Sequence, residues 1–270
     1  MGFTKEVVDV VDGTGQGGAT AQGYARAATV EDFRRSLAAV RERITAAAQR
    51  AGRDPAEVRL LPVSKTVPED RLRLAVAAGC TAFGENKVQE AARKAAAMAD
   101  LGLSWSVIGH LQTNKAKDVA AFADEFQALD STRVAEALDR RLQAAGRGLD
   151  VLVQVNTSAE ESKFGLRPAD VASFVRTLPR CSSLRVRGLM TLAEFTADAD
   201  RVRACFVMLR TLRDRLREDD PDLVGPELSM GMSGDYELAI EEGATVVRVG
   251  QAIFGARPTK DSMYWPGTAP

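Results

Sequence analysis

The chain of 270 residues has a single histidine, His110, and only three cysteines, Cys80, Cys181 and Cys205. The cysteines are far apart and form no C-x-x-C pair, which removes the usual spacings of a zinc site and of a dithiol redox centre. A reducing, cytoplasmic setting is therefore expected, with the thiols as small core fillers and no bound metal. Long apolar runs are missing as well. None approaches the ~18 residues that cross a bilayer, and the N-terminus has no basic segment leading into an apolar one. Neither membrane insertion nor secretion is expected. Charge of one sign is also lacking, since 36 basic and 37 acidic residues leave a net charge of -1. Duplex nucleic acid and anionic membranes call for a basic footprint, so small molecules or other proteins are the expected partners.

What is present is an apolar fraction of 45% and a charged fraction of 27%, enough material for a sizeable core. Residues 1–28 carry "DGTGQGGATAQG", whose glycines and small polar groups bury too little surface to offset the entropy of ordering. They read as a disordered tail. From Thr29 the period changes: "TVEDFRRSLAAVRERITAAAQRAG" opens on a threonine cap and sets Phe33, Leu37, Val40 and Ile44 on one helical face.

A strand-then-helix unit then repeats. Strands are read in "VRLLPVS", "TAFG", "SWSVIG", "EFQALD", "DVLVQVN", "LRVRGLMTL", "PELSMG" and "TVVRVG", most of them apolar on both faces as buried parallel strands are. Eight repeats within residues 29–258 predict an α/β protein with a single (β/α)8 TIM-type barrel, followed by a short tail at 259–270. An open dinucleotide-binding sheet would need G-x-G-x-x-G after its first strand, where this chain reads "SKTVPED".

In such a barrel the chemistry sits where the strands run out. Lys65 ends the first strand, in "LLPVSK". A desolvated amine there is a nucleophile for an aldehyde, although the residue by itself reads equally as a lysine whose stem packs while its head reaches the rim. Near the other end of the chain, "LSMGMSGDYELAI" runs from Met230 at a strand end through a Gly/Ser turn into a helix, aiming backbone N–H groups and the Ser233 hydroxyl at one anion-sized point. "VVRVGQAIFGAR" repeats the device, with Gly250 allowing close backbone approach and Gln251 opening the next turn. Taken separately each loop also admits the reading of an ordinary glycine turn; on adjacent strands the two together point to phosphate. An amine facing a phosphate nest suits a phosphorylated aldehyde, and pyridoxal 5'-phosphate carries both groups. Arg248 would point inward toward the pyridine nitrogen, against the commoner fate of a rim ion pair. The lone His110 reads more readily as structural than as catalytic.

Together "VSKT", "FGEN", "IGHLQTNK", "VNTSAEESKFG", "GLMTL" and "LSMGMSGDYELAIEEGATVVRVGQAIFGAR" resemble the pyridoxal phosphate homeostasis proteins, from about Val30 to Arg257. The resemblance implies a barrel like the N-terminal domain of alanine racemase, without that enzyme's C-terminal β domain. It implies that Lys65 carries the cofactor as an aldimine, that Ser233 and the backbone of Gly250 and Gln251 hold its phosphate, and that Arg248 faces the pyridine nitrogen. Met230, Asn86 in "GEN" and His110 in "GHLQTNK" match pocket positions. The chain departs from the family's habit at Lys87, often tyrosine, and at Ser106, often histidine, which leaves the pocket rim open.

An arginine beside the pyridine nitrogen disfavours its protonation and makes the cofactor a poorer electron sink. Alanine racemase draws a second base, a tyrosine, from its β domain; the tyrosines here are Tyr24, Tyr236 and Tyr264, none placed for that task. The expected function is therefore a monomeric carrier that buffers the cofactor and delivers it to apo forms of pyridoxal phosphate enzymes. A small racemase or decarboxylase using the same Schiff base is the alternative, and a sugar-phosphate aldolase a more distant one.

Overall fold

A computed structural model describes residues 24–160 and 163–256. The expected tail therefore lies outside the described residues up to position 23, as does the whole of 259–270. Helix α1, Val30–Arg50, begins on Thr29, whose side chain accepts from the Asp32 amide while the Asp32 carboxylate accepts from the Thr29 amide. This capping box satisfies amides that the first turn leaves without partners. Phe33, Leu37, Val40 and Ile44 are buried on one face, as the sequence period predicts.

Among the described residues eight parallel strands follow, the first seven each followed by a helix as the repeat predicts. They are β1 (Arg59–Pro62), β2 (Ala82–Glu85), β3 (Ser104–Val107), β4 (Glu125–Leu129), β5 (Leu149–Gln154), β6 (Leu184–Met190), β7 (Glu227–Ser229) and β8 (Val246–Val249). The intervening helices are α2 (Glu69–Ala77), α3 (Val88–Ala97), α4 (Ala116–Phe122), α5 (Thr132–Ala145), α6 (Pro168–Val175), α7 (Ala199–Asp219) and α8 (Tyr236–Glu241). The sheet runs β1-β8-β7-β6-β5-β4-β3-β2. It closes where Val63 bridges Gly84 and the Ser64 amide donates to the Gly84 carbonyl.

After β8 comes one short turn of helix, α9 (Gln251–Phe254), instead of a full-length outer helix. The outer position is taken by α1, which packs against α2, α8 and α9. Its Phe33 ring meets Phe254 edge-on at 5.6 Å, and Arg43 and Arg50 pair with Glu237 and Glu241 on α8. The segment Tyr24–Ala28, expected within the disordered tail, is instead fastened across this corner. The Tyr24 carbonyl accepts from the Ala256 amide at 3.1 Å, and Arg71 donates to the carbonyls of both Ala27 and Phe254. Tyr24 and Ala27, outside any helix or strand, gain backbone partners this way from residues far along the chain, which is why composition alone misplaces the segment.

The barrel interior is not wholly apolar. A hydrogen-bonded chain crosses it from the N-terminal end upward. Arg59 donates to Glu125 at 2.6 Å, Ser106 and Gln127 donate to the other Glu125 oxygen, Ser229 donates to Gln127 at 2.7 Å, and Arg248 donates to Ser229 at 2.6 Å. Buried polar groups are tolerated when partnered in this way. Ser106, expected at the pocket rim, belongs to this internal chain.

Candidate functional site

Strands β1 and β8 are hydrogen-bonded neighbours, and their C-terminal ends bring the first and last candidate motifs together. The Val63 amide donates to the Val249 carbonyl at 2.9 Å, so Lys65, two residues further on, leaves the sheet beside Gly250. Gly250 eases a close approach here: a Cβ would stand 3.1 Å from the Val63 carbonyl oxygen, a tight contact. Lys65 is half-buried, neither sealed in the interior nor fully in solvent.

Next to it the loops after β7 and β8 form a cradle. The Ser233 hydroxyl oxygen receives the amide of Gly250 at 3.3 Å and that of Ala252 at 3.4 Å. Two N–H groups at the start of α9 thus point at one oxygen, the geometry of an anion nest. Gln251 lies between them and opens α9. The loop that carries Ser233 is held from below by Asp235, whose carboxylate accepts from the Met232 amide at 2.5 Å. Burial raises the Asp235 carboxyl above its ordinary range, opposed by that amide and by Arg248. From outside, the Tyr24 hydroxyl donates to the Ser233 carbonyl at 3.2 Å.

Arg248 is buried under this mouth. Its guanidinium donates to Ser229 and, at 2.7 Å, to the Thr191 carbonyl. Burial pushes its pKa down to about 10, so it remains a cation at neutral pH. Met230 is buried at the end of β7. Asn86 is half-buried just past β2, and His110 stands exposed past β3 with its ring stacked on Phe164 at 3.9 Å and Nδ1 3.6 Å from Asp130. The structure thus gathers Lys65, Ser233, Arg248, Gly250 and Gln251 around the β1/β8/β7 corner and puts His110 on the rim.

The residues present fit a phosphorylated aldehyde. Two convergent amides and a hydroxyl suit the phosphate, an amine stands on the adjoining strand end, and a fixed cation lies beneath.

The alanine racemase N-terminal domain model matches residues 36–258. A pyridoxal phosphate homeostasis protein of Pseudomonas aeruginosa is 45% identical over 222 residues, covering 82% of this chain and 94% of that one. The chain belongs to the pyridoxal phosphate homeostasis protein family. Its relative from Aquifex aeolicus is 40% identical over 82% of the chain. Among solved structures, PipY of Synechococcus elongatus, with PLP bound, has a TM-score of 0.74 and 38% identity, covering 83% of this chain and 100% of PipY. Alanine racemase of Clostridium difficile shares the fold at a TM-score of 0.66 and 14% identity, this chain covering 58% of it.

Beyond the residues given a role from the sequence, the structure shows others at the site, some of them inside the same motifs. Tyr24 braces the Ser233 loop; Thr191 and Ser229 hold Arg248. Lys94 on α3 is fully buried, and so is Glu85 at the end of β2. None of these carries a local signal, because each acquires its role from at least one partner on another element or loop.

Proposed function

We propose that this chain binds pyridoxal 5'-phosphate reversibly through Lys65 and serves as its carrier in the cytoplasm, buffering it and delivering it to apo forms of enzymes that use it. The observation that carries the reading is the convergence of the Gly250 and Ala252 amides on the Ser233 hydroxyl, one strand from Lys65 and above the buried Arg248. Its relatives bear the name of cofactor homeostasis, and PipY was solved with PLP bound.

Ser233 with the backbone of Gly250 and Gln251 holds the phosphate; Arg248 faces the pyridine nitrogen; Met230, Asn86 and His110 line the approach. When bound, the aldehyde supplies reversible condensation with an amine, water leaving as the C=N bond forms and returning as it breaks. The chain's own groups favour holding over turnover. Arg248, still charged at neutral pH, opposes a proton on the ring nitrogen and so weakens the ring as an electron sink. A second base is not at hand among the described tyrosines: burial pushes the Tyr236 hydroxyl up to about 12, and that of Tyr24 is engaged with the Ser233 carbonyl. The chain works as a monomer, and the described thiols Cys80, Cys181 and Cys205 are free and buried, as suits a reducing compartment. No helix among the described residues is long and apolar enough to cross a membrane.

The test is to add pyridoxal 5'-phosphate to the wild type and to Lys65→Ala, follow the visible absorbance of lysine-bound cofactor, then reduce with borohydride and map the labelled peptide. The wild type shows the band and a label on Lys65, and the variant shows neither; a variant that keeps the band refutes the assignment. Incubation with single-enantiomer alanine in heavy water separates carrier from racemase, since deuterium uptake at Cα would overturn the carrier reading.

A further inference from the structure

The lysine that is completely buried on this side of the barrel is Lys94 rather than Lys65. An ammonium without solvent must find a partner for each of its protons. Lys94 Nζ donates to Glu85 Oε1 at 2.6 Å, to Glu90 Oε1 at 2.7 Å and to the Ser64 carbonyl at 2.9 Å. The Ser64 hydroxyl donates to the same Glu85 oxygen at 2.6 Å. Glu90 Oε1 also accepts from the Thr66 amide at 3.1 Å. The Ser64 carbonyl and the Thr66 amide belong to the two peptide groups on either side of Lys65. One ion cluster, built from β2 and α3, therefore grips Lys65 by its backbone from both directions.

The backbone there is also strained. Thr66 has φ +66, a left-handed conformation that a β-branched residue adopts only when its surroundings impose it. The strain sits one residue past the lysine, in a turn closed by the Val67 amide donating to the Ser64 carbonyl at 3.0 Å, and Glu90 holds that turn through the Thr66 amide. The cluster thus completes its own hydrogen bonding on the two peptide groups that flank the residue carrying the amine.

We propose that Glu90, Lys94 and Glu85 are positioning residues that fix the backbone of Lys65 and thereby aim its amine at the aldehyde above the phosphate cradle. The inference rests on the reading of Lys65 as the residue that captures the cofactor.

Glu90 is the member to perturb, because its side chain is partly exposed whereas those of Glu85 and Lys94 are not. Glu90→Ala removes the acceptor for the Thr66 amide and one partner of Lys94. Glu90→Gln keeps an acceptor of the same reach and drops the charge. Full-length protein without cofactor is followed by amide hydrogen exchange, read by mass spectrometry. Peptides spanning 65–67 are expected to exchange about tenfold faster or more in Glu90→Ala, near the wild-type rate in Glu90→Gln, with peptides of β5 unchanged in both. With pyridoxal 5'-phosphate added, the rate of band formation falls at least about fivefold in Glu90→Ala and recovers in Glu90→Gln.

Exchange and capture rates in Glu90→Ala within about twofold of wild type would overturn the proposal, as would a Glu90→Gln variant as impaired as the alanine one. If Glu90→Ala does not fold, Glu90→Asp, which withdraws the acceptor by one methylene, must speed exchange at the same peptides, and failure to do so overturns the proposal equally. A wild type that forms no band defeats the reading of Lys65, and the exchange measurement then decides the cluster's grip on its own.

Discussion

Replacing Arg248 with methionine separates what the site needs from what the fold needs. Burial holds the guanidinium near 10 in place of its ordinary 12.5, so keeping it charged at neutral pH costs the native state about 3 kcal/mol. Against this stand its hydrogen bonds to Ser229 and to the Thr191 carbonyl, each given by a charged donor and costing about 1.5 kcal/mol or more to lose. The Ser229 hydroxyl keeps its own bond to Gln127, so the interior chain is shortened rather than broken. Methionine fills a comparable volume with a flexible apolar stem. The two nearly cancel, leaving the variant within about 1 kcal/mol of the wild type. Without cofactor, Arg248→Met should melt within about 2–4 °C of the wild type, measured by calorimetry or circular dichroism. With pyridoxal 5'-phosphate added, the wild type gains stability through binding and the variant gains much less. A variant that melts well below the wild type would refute the reasoning, since the arginine would then be a strut of the barrel and not a group kept at a cost for its ligand.

Two further outcomes follow from the same corner of the molecule. Gly231→Ala places a Cβ 2.6 Å from that of Ala239 and 2.8 Å from the Tyr236 Cα, at φ +90, and should destabilise the fold by about 2–5 kcal/mol in urea melts, while Gly234→Ala, with open space around it, should be near neutral. Tyr236 has its hydroxyl pushed up from 10 to about 12, mainly by burial. Its neutral form is the one the fold favours, so the stability it contributes is intact below pH 10 and is lost as pH rises through about 12, by roughly 2–3 kcal/mol in total. Tyrosinate absorbance should show one tyrosine ionising only with unfolding in that window; ionisation near pH 10 in the folded state would contradict this.

The strands and helices were legible because each carries its own period. "DVLVQVN" is apolar along most of its length and became β5; the stripe Phe33, Leu37, Val40, Ile44 became the buried face of α1. The cradle was legible for the same reason, since Gly250 and Ser233 sit in loops whose backbone demands are local. Helix α9 was not foreseen as a single turn, because its brevity follows from α1 occupying the neighbouring space, a matter of packing between distant segments.

What the sequence determined by itself, then, is the repeat of strand and helix, the barrel that repeat closes, and the motif residues at its strand ends. Tertiary structure decided which charged side chains are buried and whom they meet. Lys65, an amine in apolar sequence company, emerged half-buried, whereas Lys94, on a helix of ordinary polar pattern, lost all contact with solvent to two glutamates and a carbonyl. Burial and ion pairing depend on the distance between residues that the chain keeps apart, and no local period encodes that distance.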